Sequence, residues 1–542
     1  MSAHFKWYPA SEEVIVPWNA RYSFPSQANK AVKLTPRIPP KNGGSFTPGQ
    51  VIRLEFPAQG YVNPINTTLS FDVSLTGYGG VTGLSAPLSA IVRFQNNISS
   101  IFSRVRLLYG ATPLEDMIDY NVIVRCLTEW TSTSQQGTMD QTSITDGIGG
   151  VAWGTDGGAN SAVFQGNVNT RQKYIQGHST TFVTRAAVSA GSGLGSVPQG
   201  TTTTTTRRYQ VNFALGLFTQ SKLIPTKFMA SQLAIELTLE QPAACIFAIA
   251  GGSVTGTPTY TVQNVNLIPE ILEFDASYDE MFLKGLRDGG VPIKFSSWHT
   301  FIFSSGNSSN VNLLIQERSR SVKALFAVQR RSQPDFQYDD GATFFDTASG
   351  GTSTLQSFQF RIGGRYFPAA PVQCSTDVGS AISNGGCEAY IELQKALNVV
   401  GDYRLSTPCN VSRWALQNAG GTLQEYDFKD NLGAIAVTTG VPTFSPVEST
   451  TNAFSGTLGS QCFAMAVDLE TSNGVEISGL NAEEQSDIAL IANWKSAQSV
   501  GSPIIEVFTY YDAMIVLREN NVSFLFIIGS RIDSIKCVFY NI

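Results

Sequence analysis

The chain has 542 residues, 42% of them hydrophobic, with 36 Lys or Arg against 42 Asp or Glu, so the net charge is -6 and charged residues make up only 14%. That much apolar matter excludes a disordered chain, which could not offset an ordering entropy of roughly 1 to 2 kcal/mol per residue, and the charge balance excludes a polybasic coat for nucleic acid. A charged share so far below the roughly 25% usual in soluble domains predicts a surface partly covered by other subunits, because interface cores are depleted in charge.

From the N-terminus, Lys6, Glu12 and Glu13 interrupt any apolar core of signal-peptide length, so secretion by the usual route is not expected. Residues 1–45 form a mildly positive arm. Strands of period two follow. In Thr68 to Leu75 the apolar Leu69, Phe71, Val73 and Leu75 alternate with Ser70, Asp72 and Ser74, the pattern of a half-buried strand. The same reading fits Val51 to Phe56, Ile101 to Tyr109, Tyr209 to Leu217 and Leu233 to Leu239. In the second half it fits Ile293 to Phe303, Val311 to Gln316, Val322 to Gln329, Phe358 to Ile362, Phe463 to Leu469, Ile504 to Leu517 and Val522 to Ile528. Strands this numerous, separated by turn residues, predict sandwiches or barrels.

Three segments read as helix. Leu114 to Trp130 follows Pro113, places Leu114, Ile118 and Val122 on one stripe, and carries Glu115 and Asp116 in a first turn where the helix dipole favours anions. Tyr278 to Leu286 and Glu388 to Leu397 are the others. The order of pieces then repeats: strands, a helix, a long turn-rich stretch, strands. Two copies of one architecture are implied, with segments 46–276 and 291–542 carrying insertions at 131–206 and 399–460, and a linker helix within 277–290 between them. Insertions this long are rare in compact domains unless they have a role.

Catalytic and metal-binding patterns are not found. The three histidines, His4, His178 and His299, have no carboxylate or cysteine at triad or ligand spacing, and the seven cysteines form no C-x-x-C pair. These cysteines read as reduced, buried small hydrophobes. Gly147 to Ala152 satisfies G-x-G-x-x-A, yet its flanks are polar and Gly-rich where a dinucleotide site needs a strand and a helix. The adjacent carboxylates Glu115-Asp116, Asp339-Asp340 and Glu483-Glu484 read as caps or solvated surface, and Arg207-Arg208 and Arg330-Arg331 as loop or sheet-edge charges. An enzyme reading would need distant carboxylates such as Asp72 and Glu236 to converge. No catalytic, cofactor-binding or metal residue is assigned, and no cofactor or sequence-specific nucleic-acid binding is expected.

Specific strings add to this. The stretch Asn97 to Gly110 (NISSIFSRVRLLYG) followed by Leu114 to Val122 (LEDMIDYNV) resembles the first jelly roll of double jelly-roll major capsid proteins, the adenovirus and tectivirus lineage. It looks most like those of polinton-like viruses and virophages. Leu217 to Pro225 before Leu233 to Leu239, Phe360 to Pro368 before Glu388 to Leu393, and Val507 to Asp512 match in style and order. The resemblance implies an all-β fold of two eight-stranded jelly rolls in tandem, with short helices in loops and long tower-like insertions. It also implies a homotrimer forming a pseudo-hexagonal capsomer that tiles the icosahedral shell of a double-stranded DNA virus. Neighbouring capsomers, penton and minor or cement proteins would be partners, and an internal membrane is left open. By the same analogy the arm lies inside the shell or grips a neighbour, with Trp7, Tyr8 and Trp18 as interface anchors.

Overall fold

The computed structural model describes residues 31–76, 80–82, 90–94, 98–131, 181–184, 204–250, 253–288, 290–304, 308–330, 355–374, 387–400, 463–470, 478–483, 487–494, 504–518 and 521–525. Trp7, Tyr8 and Trp18, the Gly147 to Ala152 string, and nearly all of the second insertion lie outside them.

The first half contains β1 (Ala31–Leu34), β2 (Ser45–Phe46), β3 (Val51–Glu55), β4 (Tyr61–Thr76), β5 (Gly80–Thr82), β6 (Ala90–Phe94), β7 (Phe102–Tyr109) and β8 (Thr112–Ile118). A helix at Tyr120–Thr131 leads on to β9 (Thr181–Thr184), β10 (Thr204–Asn212), β11 (Leu233–Leu239), β12 (Ile246–Ala250), β13 (Ser253–Thr255) and β14 (Thr259–Phe274). The second half has β15 (Val291–Ser304), β16 (Asn310–Ile315), β17 (Val322–Arg330), β18 (Leu355–Ile362) and β19 (Arg365–Gln373). A helix at Cys387–Ala396 separates these from β20 (Met465–Asp468), β21 (Ile488–Trp494), β22 (Ile504–Arg518) and β23 (Asn521–Leu525).

The sheets reveal the repeat. β1-β14-β4-β10, with β2 also on β14, faces β3-β11-β7-β8; β15-β22-β17-β20, with β23 on β22, faces β16-β21-β18-β19. If the β1/β2 pair counts as one position and the loop strands are set aside, each half has eight positions in chain order. Positions 1-8-3-6 then make one sheet and 2-7-4-5 the other, in both halves. That is the double jelly roll, all-β as expected. Period-two burial explains it: in β4 the alternate Leu69, Phe71, Val73 and Leu75 are buried in the core, while Asp72 and Ser74 turn the other way to meet Arg208 at 2.6 Å and Thr206 at 2.7 Å. Residues 31–46, read mostly as arm, enter the first sheet because β1 and β2 find open edge positions along the 16-residue β14.

Antiparallel order sends the connections after positions 3, 5 and 7 to the same end of a roll. In the first roll these three loops meet: β6, β9 and β12 form a small sheet, and β5 pairs β13. Besides β9, which falls in the expected insertion, this extension therefore takes in β5, β6, β12 and β13 from two other loops, a pairing invisible to local pattern. Between the rolls, the helix Ala276–Asp288 starts at Asp275, whose carboxylate accepts from the Ser277 and Tyr278 N–H groups at 3.0 and 3.2 Å. Tyr61 of β4 holds this helix to the first roll: Phe274, Tyr278 and Phe282 pack edge-on to its ring at 5.2 to 5.5 Å, and its hydroxyl donates to Asp279 at 3.0 Å.

Candidate functional site: the seam between the two rolls

The residues expected in a helix from Leu114 divide differently. Thr112–Ile118 is the strand β8, paired with β7 across a tight turn at Gly110, and the helix begins only at Tyr120. Pro113 opens an edge strand here, where its missing N–H costs nothing. Asp119, at φ 52, makes the corner between the two elements. The consequence is that Glu115 and Asp119 point toward the second roll.

Glu115 is 2% exposed, so it is neither a cap in a first helical turn nor solvated surface. Its carboxylate accepts from the Gly216 and Leu217 N–H groups and from the Ser297 hydroxyl, each at 2.7 Å. Burial raises its pKa against those three hydrogen bonds. Ser297 belongs to β15, so one carboxylate ties the first roll's β8, its short helix Gly216–Thr219 and the second roll together. Beside it the Thr300 hydroxyl donates to the Ile118 carbonyl at 2.9 Å.

The second contact is aromatic. Trp130, at the end of the first loop helix, stacks on Phe326 of β17 with centroids 5.3 Å apart and planes 18° apart. Trp298 of β15 lies against both Phe326 and Tyr510 of β22, at 5.6 and 4.6 Å. A cavity of about 430 Å³ opens beside them, lined in part by Leu127, Lys323 and Leu397.

The third contact is ionic and dry. Arg330 and Glu506, each 1% exposed at the side chain, pair across β17 and β22, with Arg330 Nε 3.1 Å from a Glu506 oxygen. Arg330 is thus no loop or edge charge. Asp119 of the first roll hydrogen-bonds Glu506, and Glu240 lies within electrostatic reach of both Asp119 and Arg330 while accepting from Asn121 at 3.0 Å. Three carboxylates share one guanidinium, Glu240 and Glu506 buried and Asp119 partly so, and burial drives their pKa values up, that of Glu506 to about 7.

Asp72 and Glu236 lie on opposite sheets, Asp72 bonded to Arg208 and Glu236 set between Arg53 and Arg106. Among the described residues, no group of three or more His, Cys, Asp or Glu is placed to hold a metal. Cys126, Cys245 and Cys374 are buried, as expected for those three. The seam residues Glu115, Asp119, Arg330 and Glu506 were missed. The available signal was a charge inside an apolar strand, as in Val322 to Arg330 and Ile504 to Leu517.

No family model and no curated protein matches this sequence. Solved structures do match in fold. A chain of the Sputnik virophage is 11% identical with a TM-score of 0.53, covering 96% of this chain and 94% of that one. The mavirus major capsid protein is 10% identical with a TM-score of 0.48, covering 98% and 95%, and the Faustovirus major capsid protein is 10% identical with a TM-score of 0.48, covering 94% and 93%. At such identities the likeness is one of fold: end to end, this chain has the double jelly-roll architecture found in the Sputnik particle.

Proposed function

We propose that this chain is the major capsid protein of a double-stranded DNA virus, located in the virion, with no enzymatic role. The observation that carries the reading is the whole-length fold match to a chain of a virus particle, together with a buried seam that makes two jelly rolls one block. Such a block supplies two side-by-side walls of fixed relative orientation, which is what tiling requires. Three copies form a pseudo-hexagonal capsomer, and capsomers meet one another, penton proteins and minor proteins to close an icosahedral shell. The division into first roll 46–276, linker 277–290 and second roll 291–542 belongs to this reading, except that the arm expected over 1–45 gives up residues 31–45 to the first roll through β1 and β2; anchoring by Trp7, Tyr8 and Trp18 belongs to it as well. The low charged share agrees with it. Mass measurement and negative-stain imaging test it: stable trimers seen as hexagonal capsomers support the proposal, and a clean monomer at every concentration overturns it.

A further inference from the structure

The two rolls treat the same sheet edge differently. β3 and β16 both hold position two, at the rim of their sheets, and the pairing register shows which of their backbone groups face outward. In the first roll the Phe56 N–H donates to the Leu233 carbonyl, so Val51, Arg53 and Glu55 turn their N–H and C=O groups away from β11. Three of these groups are met by the chain that precedes β2. Lys41 N–H donates to the Arg53 carbonyl at 3.0 Å, and the Asn42 side chain stands in for a peptide group. Its Nδ2 donates to the Val51 carbonyl at 2.6 Å and its Oδ1 accepts from the Arg53 N–H at 3.0 Å.

In the second roll the Trp494 N–H donates to the Ser309 carbonyl at 2.7 Å, which sets Asn310, Asn312 and Leu314 of β16 facing outward. Ser308 holds the first of them: its hydroxyl donates to the Asn310 carbonyl at 2.6 Å and accepts from the Asn310 N–H at 3.3 Å. The outward groups of Asn312 and Leu314 meet no partner among the described residues. Nothing on β16 discourages a further strand. Its sequence, NVNLLI, has no charge and no proline, whereas the edge strands β8, β15 and β19 carry Pro113, Pro292, and Pro368 with Pro371. Leu314 is also 54% exposed.

The sequence beyond β23 offers a match. Residues 530–542 contain neither Gly nor Pro and include Ile532, Ile535, Val538, Phe539, Tyr540 and Ile542, residue types that suit a strand. Residues 1–30 suit one less, since Pro9, Pro17 and Pro25 each remove a donor. Leu525 pairs with Met514, close to the Tyr511 that faces Val322 at the start of β17, so the segment sets out near the end of the roll where β16 leads into β17. Residues 526–542 extend to about 56 Å at roughly 3.3 Å each, and a strand matching β16 takes about 20 Å of that, which leaves ample length to round the roll.

We propose that residues 530–542 pair with β16 of their own chain as a fifth strand of the β16-β21-β18-β19 sheet, bonding the outward groups of Asn312 and Leu314. The second roll then closes its position-two edge with the segment after its last strand, where the first roll uses residues 41 and 42. The pairing lies within one chain, so it stands apart from the capsid reading and holds for a lone chain and a capsomer alike.

The test joins the native Cys537 to a cysteine on the edge. The Leu314→Cys chain is treated with a short bismaleimide beside the unaltered chain and a Leu314→Cys, Cys537→Ser chain, and mass spectrometry identifies the linked peptides. A link between positions 314 and 537 within monomeric chains supports the proposal. A link found only between two chains gives the edge to a second copy, and no link to Cys537 leaves the segment elsewhere; either result overturns it. As a second measurement, Asn312→Pro removes one outward N–H and spares the ladder to β21. With unchanged circular dichroism, trypsin is expected to cut after Arg531 and Lys536 about tenfold faster in this variant. Equal cleavage rates in the two chains count against the pairing.

Discussion

Gly216 runs so close to the Ser296 backbone that a Cβ on it would stand 2.0 Å from the Ser296 carbonyl oxygen. The first roll's short helix therefore reaches the second roll only because this residue has no side chain. No flexible group can yield, since the obstacle is backbone. Gly216→Ala is expected to force the seam open and to lose the Glu115 bonds to the Gly216 and Leu217 N–H groups, with a fall in stability of about 3 kcal/mol or more. Calorimetry of the variant checks this, and a melting temperature equal to that of the unaltered chain would show that the helix does not bear on β15.

The Trp130–Phe326 stack should behave as a coupled pair. Removing either ring leaves a void in a packed interface, at a cost of roughly 3 to 5 kcal/mol for Trp130→Ala. Once one ring is gone the other has lost its partner, so the Phe326→Ala cost should shrink in the Trp130→Ala background by about 1 kcal/mol. A double-mutant cycle by urea unfolding measures it; strict additivity would mean the rolls do not touch there.

How much of this was readable in the sequence depended on how local the cause was. Leu233 to Leu239 alternates so regularly that the strand is observed with the predicted ends, and Ile504 to Leu517 is off by one residue. Leu114 to Ile118 misled because four-residue spacing of apolar groups suits a helix, while pairing with β7 and the left-handed corner at Asp119 decided for a strand. Tertiary pairing overrode the local preference. The seam was less legible still: Glu115 meets the Gly216 amide 101 positions away and Arg330 meets Glu506 at a separation of 176. Nothing local announces such partners, and a buried carboxylate looks like any other Asp or Glu until the fold is known.

Not every charged contact should matter. On the outer face of β3-β11-β7-β8, Arg53, Glu236, Arg106 and Asp116 stand directly opposite one another in a row of alternating sign. Glu236 is bonded to Arg53 at 3.1 Å and to Arg106 at 2.5 Å, but both arginines are more than a third exposed and water screens them. Glu236→Ala is expected to cost about 1 kcal/mol or less, and less again in 1 M salt. Glu115→Ala leaves two buried N–H groups without an acceptor and should cost about 3 kcal/mol, insensitive to salt. Equal costs for the two, by chemical unfolding in low and high salt, would contradict the burial difference.

The dry cluster makes stability depend on pH with a definite sign. Glu506 has a folded pKa of about 7, above the unfolded carboxylate value of about 4.3, and Asp119, Glu240 and Glu115 are shifted the same way by burial. Between those two values the folded chain holds more protons than the unfolded one, so this contribution is complete below pH 4.3 and is lost as pH rises through 7. Asp72, Glu270 and Glu317 have lowered pKa values, held down by Arg208, by Lys33 and by His299 against the effect of burial, and their contribution fades in acid. The melting temperature should therefore peak near pH 5 and decline toward pH 8. Glu506→Gln cannot ionise yet still offers an acceptor to Arg330, so it should flatten the decline above pH 5 and leave the acid limb in place. A variant whose melting temperature falls as steeply from pH 5 to 8 as that of the unaltered chain would show that the proton is held elsewhere.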